Sequence, residues 1–343
     1  MSFLFNVAFA LLPVLFFLAL LVFLDSFKLV AVRSVIVALL AGAAAALVAG
    51  QVNRWLLDAT GLPPIGYSRY AAPLVEEALK AVWVIVLLRR GRVGFLVDAA
   101  ILGFAVGAGF ALVENVEYLG ALDEPRVLLW LSRGFGTAIL HGATTAVFAM
   151  LAKALADRHP RRPWLTLLPG LAAAVAAHSL YNHFLVSPLL AASLLLVGLP
   201  LLVVVVFERS ERATRDWLGV GLDTDLEVVE AIVSGRALET RTGEYLRSLA
   251  AHFPGEVRAD MLCLLRIQTE LAIRAKGLLL AREAGLEAPV GEDVRSRLVE
   301  LRYLEKSIGR TGLLALKPLL RRGARELWQV YFLEEAGGKA TPR

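Results

Sequence analysis

The sequence predicts an all-α, polytopic membrane protein: a bundle of about seven transmembrane helices over residues 1–207, then a soluble helical domain over 208–343. Two observations predict it. The chain has 343 residues, of which 57% are hydrophobic, with a mean hydropathy of +0.64, too apolar for an ordinary soluble domain. Those apolar residues are also unevenly placed. Long apolar runs fill 1–207, whereas 208–343 is dense in Arg, Glu and Asp.

A span needs about 20 mostly apolar residues to cross a hydrocarbon core of roughly 30 Å. Seven stretches meet that requirement: 3–24, 34–53, 71–88, 95–119, 127–156, 164–187 and 189–207. The last two are joined closely, at Ser187-Pro188. No Lys or Arg precedes Lys28, so the first stretch reads as a retained span rather than a secretory signal. Basic residues mark alternate ends: Lys28 and Arg33, then Arg89, Arg90 and Arg92, then Arg158, Arg161 and Arg162, then Arg209, Arg212 and Arg215. This pattern predicts a cell-membrane protein with its N-terminus outside and its tail in the cytoplasm. The loop 120–126, with Asp123 and Glu124, then falls outside. The loop 54–70 does too, although it carries Arg54 and Arg69.

The formal net charge is +5. The basic residues sit beside apolar ends, with no aromatic-interleaved basic patch, so topology explains them and nucleic-acid binding is not expected. A lone cysteine, Cys263, excludes a disulfide framework and a cysteine zinc site. It reads as a buried core thiol. The tail reads as helices near 225–234, 243–252, 256–284, 292–308 and 324–335, punctuated by Gly255, Gly285, Gly291 and Gly312. It carries no catalytic motif. A helical module that binds a cytoplasmic protein or regulates the membrane domain is the expectation.

The informative residues are the charges inside spans. Each costs roughly 2.5–3.5 kcal/mol or more unless a partner, water, a metal or a function offsets it. Span three carries Glu76, Glu77 and Lys80, with Glu76 and Lys80 on one face. Lys80 neutralises one carboxylate and leaves the other over. Span four carries Glu114, Asn115 and Tyr118, with Glu117 turned away and near the outer end. Its Gly103, Gly107 and Gly109 permit close helix contact. Span five carries His141. Span six carries His178 and Asn182 on one face, with His183 turned off it. Asp98 stands alone near the cytoplasmic end and reads as structural.

Depth joins these residues. At about 1.5 Å per residue, Glu76 and Glu114 lie about 8 Å in from the outer surface, His178 about 13 Å and His141 about 16–20 Å. Four helices thus aim polar groups at one layer, as bundle-core sites do. A carboxylate with a histidine can activate water, and a second histidine with an asparagine can donate to an oxyanion. Alternatively His141, His178 and Glu114 can hold zinc, leaving another glutamate as base. Both schemes hydrolyse a carbonyl substrate, and the sequence leaves both open. A proton- or ion-coupled transporter using the same charges, and an inactive scaffold, are the competing classes. No internal repeat supports transport, and the intact constellation argues against decay.

The runs Glu76-Glu77-Ala78-Leu79-Lys80 and Phe110-Ala111-Leu112-Val113-Glu114-Asn115-Val116-Glu117-Tyr118, then His141, then His178-Ser179-Leu180-Tyr181-Asn182, resemble the PrsW family of bacterial intramembrane proteases. That family is distantly similar to the CAAX prenyl endopeptidases and bacteriocin-processing membrane proteases. The resemblance covers about 70–190, and its specificity lies in the order and placement of motifs on successive helices. It implies cleavage of a membrane-anchored protein, typically an anti-sigma factor, near the outer face. It implies Glu76, Glu77, Glu114, His141 and His178 as the essential set, supported by Lys80, Asn115 and Asn182. The tail lies outside the resemblance.

Overall fold

The computed structural model describes residues 3–121, 133–159, 164–236, 241–249, 252–286, 290–319 and 324–337. Among them there is no strand. The chain divides into two compact units, Met1–Ser210 and Glu211–Arg343. The loop carrying Asp123 and Glu124, the start of the stretch 127–156, and Arg161 and Arg162 lie outside the described residues.

The first unit contains α1 (Phe3–Leu24), α2 (Val32–Thr60), α3 (Ala72–Arg89), α4 (Leu96–Ala121), α5 (Ala138–Arg158) and α6 (Leu168–Asn182). Helix α7 (Pro188–Val233) begins in it. Short π-helical turns precede α3 (Tyr67–Ala71) and α5 (Arg133–Thr137). Such turns are uncommon and recur beside functional sites. Among the described residues, four helical segments are long and apolar enough to cross a membrane: Val32–Thr60, Leu96–Leu119, Phe135–Arg158 and Pro188–Val233. In α1 the segment Ala10–Leu24 is an apolar helix. The third and sixth predicted stretches fall on helices that miss that standard. Helix α3 carries Glu76, Glu77, Lys80 and Arg89, and α6 has 15 residues.

Helix α4 is the centre. Every residue from Val97 to Ala111 is buried, as expected of a helix apolar on all sides. It packs against α2 on one flank and α5 on another, with α1 also in contact. Lipid supplies no hydrophobic drive between helices, so close backbone approach must do more of the work. Glycine provides it here. A methyl group at Gly107 would overlap the carbonyl of His141, and one at Gly109 the carbonyl of Leu39. Gly107 therefore sets the α4–α5 spacing at the turn that carries His141. The opposite end of α4 is closed by Asp98, whose Oδ2 accepts the backbone N–H groups of Gly94 (2.8 Å) and Phe95 (3.2 Å). This satisfies donors that a helix start leaves unpaired.

The second unit holds the end of α7, then α8 (Arg241–Ser248), α9 (Gly255–Glu283), α10 (Glu292–Leu316) and α11 (Ala324–Gly337). Three expectations change. Residues 225–234 are not a separate helix, because α7 runs unbroken through the charge boundary at 208. Cys263 is exposed, not buried. Met261, Leu264, Leu265 and Ile267 define the buried face of α9, and Cys263 falls off that face in helical phase. Gly312 does not punctuate: it is buried within α10 against Ile308, and the break falls at Gly309, whose φ is 69°. Only glycine adopts that conformation without strain.

Gly107→Ala should lower unfolding stability by about 1–3 kcal/mol through overpacking. Gly198→Ala, where a methyl group meets nothing within 4 Å, should leave it unchanged. Chemical unfolding in detergent micelles checks both.

Candidate active site

The site is built from α3, α4, α5 and α6. One atom organises it. Glu77 Oε1 lies 2.6 Å from Lys80 Nζ, 3.0 Å from the Thr144 hydroxyl and 2.9 Å from His178 Nδ1. All three donate to it, from α3, α5 and α6 respectively. Glu77 is 2% exposed and Lys80 fully buried. An unpaired charge at that depth would be expensive; a paired and hydrogen-bonded one is tolerable. Lys80 Nζ also faces the Phe110 ring, 4.9 Å from its centroid.

The two histidines are set differently. Glu77 can only accept, so His178 Nδ1 carries a proton; in the neutral ring Nε2 then presents a lone pair. That nitrogen is 3.8 Å from Glu76 Oε2. His141 Nδ1 lies 3.1 Å from Lys80 Nζ, and its Nε2 lies 2.8 Å from Glu114 Oε2. An ammonium can only donate, so His141 Nδ1 accepts and Nε2–H donates to Glu114. The Thr145 hydroxyl donates to the His141 carbonyl at 2.9 Å. The imidazoles meet edge to face, 4.8 Å between centroids.

Glu76, Glu77, Glu114, His141, His178 and Lys80, singled out from the sequence, therefore all converge. Asn115 and Asn182 do not join them. Asn115, buried in α4, donates to the Ala10 carbonyl at 2.7 Å and ties α4 to α1. Asn182 donates to the Ser68 carbonyl at 2.9 Å. With Ser179 donating to the Arg69 carbonyl (2.6 Å) and His183 Nε2 3.0 Å from the Tyr70 hydroxyl, it holds the π-helical turn before α3 against α6. Glu117 is exposed.

Two contributors lie beyond that sequence set. Thr144 is one. Asn53 is the other: its Nδ2 lies 3.2 Å from Glu76 Oε1, and its Oδ1 accepts from the Tyr67 hydroxyl at 2.9 Å. The available signal for Asn53 was a polar residue at the end of an otherwise apolar span.

A family description, PrsW family intramembrane metalloprotease, matches residues 26–208, more than half of the chain. The chain belongs to the PrsW family. No curated protein and no solved structure matches it. Membership makes the chain a membrane peptidase, a hydrolase acting on protein substrates in a lipid environment.

The family's description is that of a metalloprotease, and the residues here fit a metal donor set. Glu76, His141 and His178 each offer an atom within 4.8 Å of the others. Two imidazoles and a carboxylate with a further position open is a set that catalytic zinc uses. The sequence singled out Glu114 as the glutamate; the cluster brings Glu76 instead, with Glu114 beside His141. Were Glu76, Glu77 and Glu114 all ionised, Lys80 would leave two negative charges, which a divalent cation would balance. His178 is already in the ligating tautomer, oriented by Glu77 as metal-bound histidines usually are by a carboxylate. His141 holds a proton on Nε2, so cation uptake there would release one.

Thr144→Val, which keeps the shape and removes the donor to Glu77, should lower unfolding free energy by about 1.5–3 kcal/mol, the range for hydrogen bonds to charged groups. Thr145→Val, whose hydroxyl donates to a carbonyl of its own helix, should cost less. Paired urea titrations of the two variants check the order.

Proposed function

We propose that this PrsW-family protein is an endopeptidase that hydrolyses a peptide bond of a membrane-anchored protein near the outer face of the bilayer. The convergence of Glu76, His141 and His178, one ligand-capable atom each within 4.8 Å, carries the reading. Glu76 and the Nε2 atoms of both histidines would hold a zinc ion. A bound zinc would supply Lewis acidity toward a substrate carbonyl and toward water.

The protein's own groups divide the remaining work by accessibility. The Glu77 side chain is 1% exposed and its Oε1 takes three donors, so it orients His178 and neutralises Lys80. The Glu114 side chain is 25% exposed and touches His141. A general base must reach both water and the reacting centre, and Glu114 is the carboxylate here that does. It takes the proton of the attacking water and returns it to the departing amine. Without a bound ion His141 Nε2 holds that carboxylate at 2.8 Å; with that nitrogen on zinc, Glu114 would be freed beside it to act on water.

The membrane domain spans 1–207 and the tail 208–343, the N-terminus lies outside and the tail in the cytoplasm. The alternation of Lys and Arg at the helix ends supports that orientation. The substrate class is a single-span protein, an anti-sigma factor being the type the family resemblance supplies. The tail serves to bind a cytoplasmic protein. No observation favours transport or an inactive scaffold over hydrolysis.

Glu76→Ala and His178→Ala should abolish cleavage of a single-span reporter while the protein still inserts. Glu114→Gln should slow it by about 10²–10⁴-fold, the usual contribution of a general base. Quantitative immunoblotting of reporter fragments in cells decides; full activity in all three variants would sink the site as drawn.

A further inference from the structure

Helix α2 brings no ionisable group to the site, yet it touches a candidate ligand. Asn53 Nδ2 lies 3.2 Å from Glu76 Oε1, and Asn53 Oδ1 accepts from the Tyr67 hydroxyl at 2.9 Å. The two contacts demand the same orientation of the amide. A carboxylate only accepts, so it must face the NH2 group; the phenol then donates to the carbonyl. Flipped, the amide would set its oxygen against a carboxylate oxygen. Tyr67 is 4% exposed, so the phenol is held rather than waving in solvent.

We propose that Asn53 and Tyr67 act as a positioning relay that fixes Glu76 for metal binding. Asn53 holds Oε1, which leaves Oε2 directed at His178 Nε2, 3.8 Å away. The relay has a second anchor. Tyr67 opens the π-helical turn that Ser179, Asn182 and His183 bind from α6. Helix α6 thus places His178 directly and, through the turn, Tyr67, Asn53 and Glu76. Two ligands on separate helices share one source of alignment. Metal-ligating carboxylates depend on such outer hydrogen bonds, whose loss typically weakens metal affinity by about 10–100-fold.

The inference rests on the metallopeptidase reading above, and the test separates the two. Zinc affinity of the full-length protein in detergent is measured by chelator competition, with the melting temperature of each variant recorded beside it. Asn53→Ala should weaken zinc binding by about 10–100-fold. Tyr67→Phe, which removes one hydroxyl and keeps the ring, should weaken it in the same direction by less. In a Glu76→Ala background Asn53→Ala should add no further loss, because coupled residues are not additive. Unchanged affinity in Asn53→Ala and Tyr67→Phe, with the wild type binding zinc, overturns the relay alone. An equal loss with and without Glu76 also overturns it, since the effect would then run through the fold. Wild-type protein that takes up no zinc overturns the metal-centre reading and the relay with it.

Discussion

A single carboxylate oxygen, Glu77 Oε1, sits where three buried donors meet. Everything else about the site follows from satisfying it. Hydrocarbon offers nothing to an unpaired charge, so Glu77 must be paired within the bundle, and Lys80 three residues along does so on the same helix. That pair alone would leave oxygen lone pairs unused. Thr144 and His178 use them, and in doing so bind α5 and α6 to α3. The consequence reaches the histidines. His178 has its Nδ1 engaged by Glu77 and His141 has its Nδ1 engaged by Lys80, so both Nε2 atoms face Glu76 and Glu114. An ion pair that is needed for solubility in the membrane core thereby orients the reactive groups.

Packing lets this happen at short range. Gly107 brings α4 against the backbone of His141, and Gly109 brings α4 against that of Leu39 on α2. A wider α4–α5 spacing would pull Glu114 from His141, since their 2.8 Å contact spans those two helices. The small residues and the charges are therefore one design. Close approach makes the polar contacts possible, and the polar contacts add the cohesion that apolar surface cannot give between helices in lipid.

Much of the site was legible because ionisable residues inside apolar spans are costly and conspicuous. Glu76, Glu77, Lys80, Glu114, His141 and His178 announce themselves by type and depth. What spacing cannot give is the rotamer or the partner. It put Asn182 on the His178 face, yet the amide turns to the Ser68 carbonyl. It offered Glu114 as a ligand, yet Glu76 joins the histidines in the cluster. Asn53 and Tyr67 were hidden because neutral polar residues near a span end are common, and the contact to Glu76 joins residues 23 apart in the chain. Elsewhere, the shift in composition at 208 brings no change of conformation, because α7 runs through it. Cys263 could have been placed from helical phase alone. Its neighbours Leu264 and Leu265 fix the buried face, and it lies off it.

The proposed metal centre of two imidazoles and Glu76 can be read spectroscopically. X-ray absorption at the zinc edge of the intact, active protein tests it most directly. The expected result is one zinc per chain with a first shell of two imidazole nitrogens and carboxylate or water oxygens, at about 2.0–2.2 Å. In the His141→Ala variant any zinc that remains should show one imidazole nitrogen in place of two. A fully active protein with no metal, or with metal that has no imidazole in its shell, would contradict it.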